Sequence, residues 1–146
     1  MTDFPPAERG AYPVFLPMQT RWRDNDVYAH MNNVVFYEYF DTAVNHWLTT
    51  ENVLPVPNGP LIGLVAETGC RYLAPVGFPA RVEVGLSTLR VGGSSVIYGL
   101  GMFEEGAAEA AALCRFVHVY VDSKTRRPAP LPDAMRGALE GIAARG

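Results

Sequence analysis

The chain of 146 residues has the length of one ordinary domain, and its 49% hydrophobic and 18% charged residues are typical of a globular protein. Its formal net charge of −3 argues against nucleic acid as a partner, because phosphate neutralisation requires a basic excess. No apolar run approaches the roughly 18 residues of a membrane span, and the N-terminus shows no leader pattern, so we expect a cytoplasmic protein.

The first residues, 1–13, are rich in proline and glycine and predict an irregular N-terminal arm. A strand is expected over 14–22, and Pro17 within it indicates an edge strand or a late strand start. The polar segment 23–32 then holds the densest cluster of reactive side chains in the chain. Since binding and catalytic residues concentrate on loops, we expect function to reside in this segment.

An apolar spacing of three and four residues predicts one long helix from 33 to about 50. The residues of its apolar face are Phe36, Phe40, Ala43, Val44 and Trp47. Asn32 or Asn33 is placed to cap the helix, because a side-chain oxygen there can accept a hydrogen bond from a free amide of the first turn. The prolines and glycines of 51–63 cannot continue the helix and predict a loop.

Four extended segments separated by turn residues follow. They span 61–73, 81–91, 94–103 and 108–122. Their short connections favour an antiparallel meander. The alanines that begin the last segment favour helix by intrinsic propensity, but the residues after them favour a strand. A short helix over 133–144 completes a single α+β domain, 1–146, whose sheet must curl around one helix.

The two cysteines, Cys70 and Cys114, are 44 positions apart in the sequence. They form no CxxC pattern and have no histidine pair nearby, which argues against a zinc site or a disulfide framework. We therefore expect both to be small, buried, apolar side chains.

One motif crosses the polar segment and enters the predicted helix. Its residues are Arg23, Asp26, His30, Asn32, Asn33 and Tyr37. Further motifs follow at 65–67, 71–76 and 93–96. Together they resemble the 4-hydroxybenzoyl-CoA thioesterase-like branch of the hotdog superfamily, and the resemblance spans residues 14 to about 123.

This resemblance implies a hotdog fold, in which a five-stranded antiparallel sheet wraps around one long central helix. It also implies a homodimer or homotetramer with active sites along the dimer interface. The implied activity is hydrolysis of an acyl-CoA thioester to a free acid and coenzyme A. Coenzyme A is then part of the substrate, and no cofactor, metal or membrane is expected to take part.

Asp26 falls where these enzymes keep their catalytic carboxylate, and Asn33 falls where a helix N-terminal amide meets the thioester carbonyl. The attacked carbonyl gains negative charge, which free N–H groups at the positive end of a helix can stabilise. Asp26 could act as a general base on water or as a nucleophile that forms an anhydride. Its structural alternatives are a helix-preceding cap and a partner for Arg23.

Other side chains have a functional and a structural interpretation. His30 could orient the substrate carbonyl or only brace the loop. Tyr37 could line the acyl pocket or belong to the core. Glu67 could contact water or a neighbouring subunit's site, or it could be exposed or paired with Arg71. Asp24 is expected to be a loop-bracing acceptor rather than a second catalytic acid.

The phosphates of coenzyme A would need arginine, lysine or backbone amides. Arg90 and the segment 92–95, with Ser94 and Ser95, could supply them, although a Gly-Gly hairpin turn is the simpler interpretation. Further cations after the last strand are Lys124, Arg126 and Arg127. Some relatives place more basic residues around 91–93, so an acyl carrier protein remains an alternative source of substrate. Ala29 also stands where a glycine is usual.

Three competing functions remain. A hotdog domain could bind acyl thioesters without turnover, since fold does not imply function. A metal site of Asp24, Asp26 and His30 ranks last because it lacks a fourth ligand. A dehydratase would pair a histidine with an acid, and neither His46 nor His118 matches that requirement.

Overall fold

The structure, a computed structural model, describes residues 4–55 and 57–145. Two helices and five strands form in this part of the chain. The helices are α1 (Asn33–Thr50) and α2 (Asp133–Glu140), and the strands are β1 (Val14–Gln19), β2 (Leu61–Tyr72), β3 (Arg81–Val91), β4 (Ser95–Glu104) and β5 (Ala112–Asp122). One-turn 3-10 helices at Arg9–Ala11 and Trp22–Asp24 precede and follow β1.

The five strands form one antiparallel sheet in the order β1-β3-β4-β5-β2. The predicted meander is correct for β3, β4 and β5. It is wrong for β2, which pairs with β5 at the far edge of the sheet rather than with β3. Turn residues mark where a strand ends, but they do not determine its partner, so this crossover was not visible in the sequence.

The apolar face predicted for α1 is confirmed, because Phe36, Phe40, Ala43, Val44 and Trp47 are all buried. They belong to one core with the inward-facing residues of the sheet, among them Val82, Val84, Leu86, Val96, Tyr98 and Leu100. Full burial of each large apolar side chain contributes about 1.5–3 kcal/mol, so this seam holds the helix on the sheet. The predicted α+β architecture is confirmed. No helix in the described ranges has the length and apolar character needed to cross a membrane.

Two strand boundaries differ from the prediction by three residues or more, and the bounds of β2 and β4 differ by one. β1 ends at Gln19 instead of 22, because the chain turns there into the second 3-10 helix. The last strand begins at Ala112 instead of 108, since Glu109 forms a bridge with Glu8 of the N-terminal arm. The arm is therefore tied to the sheet region by backbone hydrogen bonds, which its irregular sequence did not indicate.

The C-terminal helix is shorter than predicted and ends at Glu140 instead of 144. Beyond it, the Thr88 N–H donates to the Ile142 carbonyl over 2.9 Å, and the Ala144 N–H donates to the Thr88 carbonyl over 3.0 Å. The end of the chain thus takes an extended form, because it can pair with β3 there.

Cys114 is buried, Cys70 is half-buried, and both are free thiols. The expected apolar role fits Cys114 best. Although far apart in sequence, the two residues are direct partners across β2 and β5. The separation along the chain therefore gave no indication that they are neighbours.

Candidate active site

The polar segment between β1 and α1 is a loop that backbone hydrogen bonds close on itself. The Asp26 N–H donates to the His30 carbonyl over 2.9 Å, and the Ala29 N–H donates to the Asp26 carbonyl over 3.1 Å. Ala29 has a φ of 63°, in the left-handed region that favours glycine. The alanine thus adopts the conformation that a glycine would take more readily at this place.

A buried carboxylate anchors the start of this loop. Asp24 is only 1% exposed and accepts hydrogen bonds from the Tyr39 hydroxyl and from the Arg21 backbone N–H, the latter over 2.8 Å. The Arg21 guanidinium completes an ion pair with it at 2.9 Å. Burial alone would raise the pKa of Asp24, but the hydrogen bonds from Tyr39 and Arg21 outweigh it and hold the pKa below its usual value. Asp24 is therefore a structural acceptor, as predicted.

The segment after β2 forms the opposite wall of the loop. The Met31 N–H donates to the Val76 carbonyl over 2.6 Å, and the Phe78 N–H donates to the Asn25 side chain over 3.0 Å. Gly77 lies between these contacts, where a Cβ atom would stand 2.9 Å from the Ala29 carbonyl oxygen. A glycine is needed here because the two segments approach so closely.

The N-terminus of α1 opens beside this loop. The Asn32 side chain accepts from the Val34 N–H over 3.1 Å, so Asn32 is the cap and Asn33 is the first helical residue. Among the described residues, the Asn33 backbone N–H has no acceptor. It is therefore available to a ligand.

Tyr72, at the end of β2, fixes this helix end from the other side. Its hydroxyl donates to the Asn33 carbonyl over 2.8 Å, and its ring packs edge-to-face on Phe36 at 5.1 Å between centroids. Tyr72 was not among the site residues predicted from the sequence. Its position in the 71–76 motif was a signal, but an aromatic residue at a strand end gives no indication of its hydrogen-bond partner.

These elements enclose an open cleft of about 380 Å³. Asp26, His30 and Asn33, the three predicted catalytic residues, line it together. The other lining residues are mostly apolar: Met31, Phe36, Tyr72, Leu73, Ala74, Pro75 and Val76. Asp26 is half-buried, while the side chains of His30 and Asn33 are exposed. A polar mouth with apolar walls can accept a polar reacting group that carries an apolar chain.

One of the two carboxylate oxygens of Asp26 accepts a hydrogen bond from the loop. Its Oδ1 accepts from the Tyr28 N–H over 2.8 Å, and Oδ2 has no donor among the described residues. Neither structural alternative considered for Asp26 is observed in this part of the chain, because Asn32 caps the helix and no ion pair joins Asp26 to Arg23.

Tyr37 and Glu67 lie outside this cleft. Tyr37 is half-buried against β2, where burial raises its pKa despite a hydrogen bond from Thr68. Glu67 is exposed and forms an ion pair with Arg115 of β5, not with Arg71. Of the alternatives considered for Glu67, the exposed position is observed and the pair with Arg71 is not. Arg115 lies diagonally across from Glu67, because its register partner is Gly69, two residues further along β2.

Arg90, Ser94 and Ser95 lie at the turn between β3 and β4. The Gly92 N–H donates to the Ser95 carbonyl over 2.7 Å, so the segment forms a hairpin turn. A carbonyl group of this turn also accepts from outside it, as Arg136 donates to the Gly92 carbonyl over 2.8 Å.

This hairpin is at the opposite end of the sheet from the cleft. Ser95 pairs with Val119 of β5, while Met102 pairs with Ala112, the partner of Tyr72. The distance along β4 between the two ends is about 20 Å at about 3.3 Å per residue. Within one protomer, the hairpin and the cleft therefore cannot form a single compact site.

The other histidines and the metal hypothesis gain no support. No three potential metal-binding side chains come together within residues 4–55 and 57–145. His118 is buried, its Nδ1 lies 3.1 Å from the Tyr120 hydroxyl, and burial lowers its pKa to about 4. His46 is exposed on α1. Neither His46 nor His118 has an acidic partner in the described chain, as a dehydratase would require.

Comparison with known proteins places this geometry in a family. Residues 20–139 match the thioesterase-like superfamily. No curated protein matches the chain. Among solved structures, the PA5185 protein from Pseudomonas aeruginosa strain PAO1 is 46% identical, with a TM-score of 0.92, 97% of this chain covered and 99% of the other.

Two further similar structures are of proteins named as thioesterases. A thioesterase from Thermus thermophilus, complexed with coenzyme A and Zn, is 31% identical, with a TM-score of 0.73 and coverage of 88% of this chain and 98% of the other. A 1,4-dihydroxy-2-naphthoyl-CoA thioesterase from Synechocystis shares the fold at 20% identity, with a TM-score of 0.77 and coverage of 86% and 93%. The predicted hotdog fold is thereby confirmed, and the chain belongs to the thioesterase-like superfamily.

Proposed function

We propose that this protein hydrolyses acyl-CoA thioesters in the cleft between the loop and the N-terminus of α1. The observation that carries the proposal is the free Asn33 N–H at the start of an 18-residue helix, in one cleft with the Asp26 carboxylate. Family membership supports thioester chemistry, and the Thermus relative complexed with coenzyme A supports the form of the substrate.

The thioester carbonyl is held at the Asn33 N–H. When it is attacked, its oxygen gains negative charge, and a backbone donor backed by the positive end of the helix stabilises that charge without rearrangement. Free N–H groups at a helix N-terminus favour anions in general. Asn32 and Tyr72 hold the first helical turn from both sides, which supports a donor that needs no rearrangement to bind the tetrahedral intermediate.

Asp26 supplies the attack on the carbonyl carbon. Its Oδ1 is fixed by the Tyr28 N–H, and Oδ2 remains for a water molecule or for direct attack. In the first case Asp26 takes a proton from water as a general base, and in the second it forms a transient anhydride. His30 lies exposed at the mouth of the cleft, where it orients the carbonyl group.

A homodimer would explain why the predicted coenzyme A residues lie far from the cleft. β2 is an edge strand with exposed apolar residues, Leu64 at 42% and Val65 at 53% exposure. Long exposed edges of this kind pair with other strands. If two copies pair antiparallel along β2, the Tyr72 end of one meets the Leu61 end of the other.

The Leu61 end is the basic end of the sheet. Leu61 pairs with Asp122, directly before the exposed cations Lys124, Arg126 and Arg127. The hairpin with Arg90, Ser94 and Ser95 lies at this end as well. In the proposed dimer, one protomer thus contributes the cleft and the other contributes cations and hydroxyls for the coenzyme A phosphates.

The test of the function is thiol release from a panel of aliphatic and aromatic acyl-CoAs. Turnover of any member at a rate well above spontaneous hydrolysis supports the proposal. The same acyl groups should also be presented on an acyl carrier protein, and a preference of kcat/KM for that form would transfer the proposal to the carrier-bound substrate. Tight binding of an acyl-CoA without thiol release would instead support the non-catalytic binding domain.

A charge on the β2 edge is expected to prevent dimerisation. We predict that Val65→Lys shifts the protein to a monomer in analytical ultracentrifugation and reduces its acyl-CoA turnover, because each lysine removes an exposed apolar side chain from the edge strand and places a charge in the strand pair. Ala108→Lys, an exposed position away from this edge, is the matched control and should leave the assembly unchanged. A Val65→Lys protein with wild-type assembly would contradict the proposed interface.

Removal of the Tyr72 hydroxyl is expected to lower kcat and to leave KM nearly unchanged. Tyr72→Phe keeps the ring contact with Phe36 and deletes the hydrogen bond from the Tyr72 hydroxyl to the Asn33 carbonyl. This hydrogen bond holds the first turn of α1, whose Asn33 N–H is the proposed donor to the substrate. The loss should be roughly fivefold, which corresponds to about 1 kcal/mol for one neutral hydrogen bond. Tyr28→Phe is the control, since the hydroxyl of this exposed loop residue has no partner in the described chain. Equal kcat values for wild type and Tyr72→Phe would remove Tyr72 from the site.

A further inference from the structure

Cys70 and Cys114 face one another on neighbouring strands. They are register partners of β2 and β5, and the register between Glu67 and Tyr72 is regular. Partners on antiparallel strands project their side chains from the same face of the sheet. Both thiols therefore lie side by side on the helix-covered face, where Cys114 belongs to the core and Cys70 packs against it.

The backbone hydrogen bonds between β2 and β5 show whether the two cysteines form a hydrogen-bonded or a non-hydrogen-bonded pair. The Leu73 N–H donates to the Ala111 carbonyl over 2.8 Å, one step beyond the last register pair of the two strands. Hydrogen-bonded and non-hydrogen-bonded pairs alternate along an antiparallel ladder. Three steps back from 73/111, the cysteines occupy a non-hydrogen-bonded pair.

This kind of pair has the spacing that a disulfide needs. Cα atoms of a non-hydrogen-bonded pair are about 4.5 Å apart, and disulfides span Cα distances of about 4.4–6.8 Å. A bridge at this place therefore requires rotation of two side chains and little movement of the backbone.

We propose that Cys70 and Cys114 are a reversible disulfide site that small hydroperoxides oxidise. Half-buried Cys70 reacts first: its thiolate attacks the peroxide, the O–O bond breaks, and a sulfenic acid and an alcohol or water result. The Cys114 sulfur then attacks the Cys70 sulfur, an S–S bond forms, and the sulfenic oxygen leaves as water. Overall, two thiols are oxidised by two electrons and the hydroperoxide is reduced by two.

The bridge would tie the edge strand to the rest of the sheet next to the cleft. In the described chain, β2 has a strand partner on one side only, β5, and Tyr72 stands two residues after Cys70 on the same face. Oxidation thus fixes the end of the strand that carries Tyr72. Because a bridge between residues far apart in sequence restricts the unfolded chain, the oxidised protein should melt at a higher temperature.

The rate of oxidation should rise with pH. Burial raises the pKa of the Cys70 thiol, and burial together with the neighbouring Cys70 raises that of Cys114. The thiolate is the reactive form, so its small fraction at neutral pH limits the first step and grows as the pH increases. The site accordingly responds slowly to peroxide at neutral pH and faster in alkaline solution.

The experiment treats the reduced, dilute, full-length protein with hydrogen peroxide, blocks the remaining thiols and measures intact mass and tryptic peptides. Trypsin cleavage after Arg71, Arg81 and Arg90 places the two cysteines on separate peptides. We expect a loss of two hydrogen atoms, a cross-linked pair of peptides, and full reversal by dithiothreitol. Addition of oxygen without a cross-link, a disulfide between two protein molecules, or no reaction under conditions that oxidise the unfolded chain would each overturn the proposal.

Two variants test the order of the steps. Cys114→Ala should accumulate oxygen on Cys70, because the resolving thiol is absent, while Cys70→Ala should leave buried Cys114 reduced. The opposite pattern would overturn the assignment of Cys70 as the first thiol to react. None of these outcomes depends on thioester hydrolysis, so the inference stands or falls independently of the proposed function.

Discussion

Asp26→Asn is expected to lower kcat/KM for acyl-CoA hydrolysis by at least about 10²-fold, the effect of removing a general base or a nucleophile. Asparagine keeps the side-chain shape and can still accept from the Tyr28 N–H, so the loop should keep its conformation. The lost atom is the free Oδ2, which becomes an amide nitrogen that can neither take a proton from water nor attack a carbonyl carbon. Thiol release at equal folded concentration measures the effect.

Asp133→Asn is the matched control, because Asp133 is an exposed aspartate in the first turn of α2, far from the cleft in sequence and fold. It should retain wild-type activity. Melting temperatures of all three proteins should agree closely, which separates a catalytic defect from unfolding. Undiminished activity of Asp26→Asn would contradict the role of Asp26 and would leave the Asn33 amide and His30 as the groups to test next.

The sequence was sufficient for the parts of the fold that depend on local periodicity. The apolar face of α1 and the approximate bounds of β2, β3 and β4 follow from spacing and turn residues, and the structure confirms them. Edge order and chain ends were not predictable in this way. The pairing of β2 with β5, and of the arm with Glu109, depends on hydrogen bonds between segments that are distant in sequence.

The candidate site shows the same division between residues close together in sequence and residues from distant segments. Asp26, His30 and Asn33 are near one another in sequence, so a motif could bring them to one loop, and they do line one cleft. Tyr72 lies on a different element, β2, and its hydroxyl donates to the Asn33 backbone carbonyl beside the cleft. Residue types alone do not indicate a contact of this kind. Glu67 was a candidate because of its charge, but its strand position directs it to Arg115.

The hairpin residues Arg90, Ser94 and Ser95 remain a prediction about an assembly. One chain carries them about 20 Å from the cleft, a distance set by the length of β4 at about 3.3 Å per residue. Whether they contact coenzyme A therefore depends on how two chains pair. Val65→Lys tests this requirement separately from the chemistry, since it changes the edge strand and leaves the cleft residues of its own chain in place.

Asp24→Asn is expected to destabilise the fold by about 3 kcal/mol, because it removes the charge from a buried, hydrogen-bonded ion pair. The Asp24 carboxylate accepts hydrogen bonds from Tyr39 and Arg21, and the Asp24 backbone carbonyl accepts from the Asn32 N–H over 2.9 Å. The variant should therefore also lose part of its activity through disorder of the loop. Glu38→Gln is the control: Glu38 pairs with the same arginine but is exposed, so its loss should cost less than about 1 kcal/mol.

The pH dependence distinguishes this interpretation from simple loss of packing. The pKa of Asp24 is lowered in the folded protein, so its ionised form stabilises the fold fully above the ordinary aspartate pKa of about 3.9, and the contribution is lost as the pH falls through the lower folded value. The difference in unfolding free energy between wild type and Asp24→Asn should thus be largest near neutral pH and shrink in acid. Other carboxylates with lowered pKa, such as Glu83 and Asp122, are common to both proteins and cancel in this difference. Urea unfolding at a series of pH values measures it, and a difference that stays constant into acid would show that the Asp24 charge does not stabilise the loop.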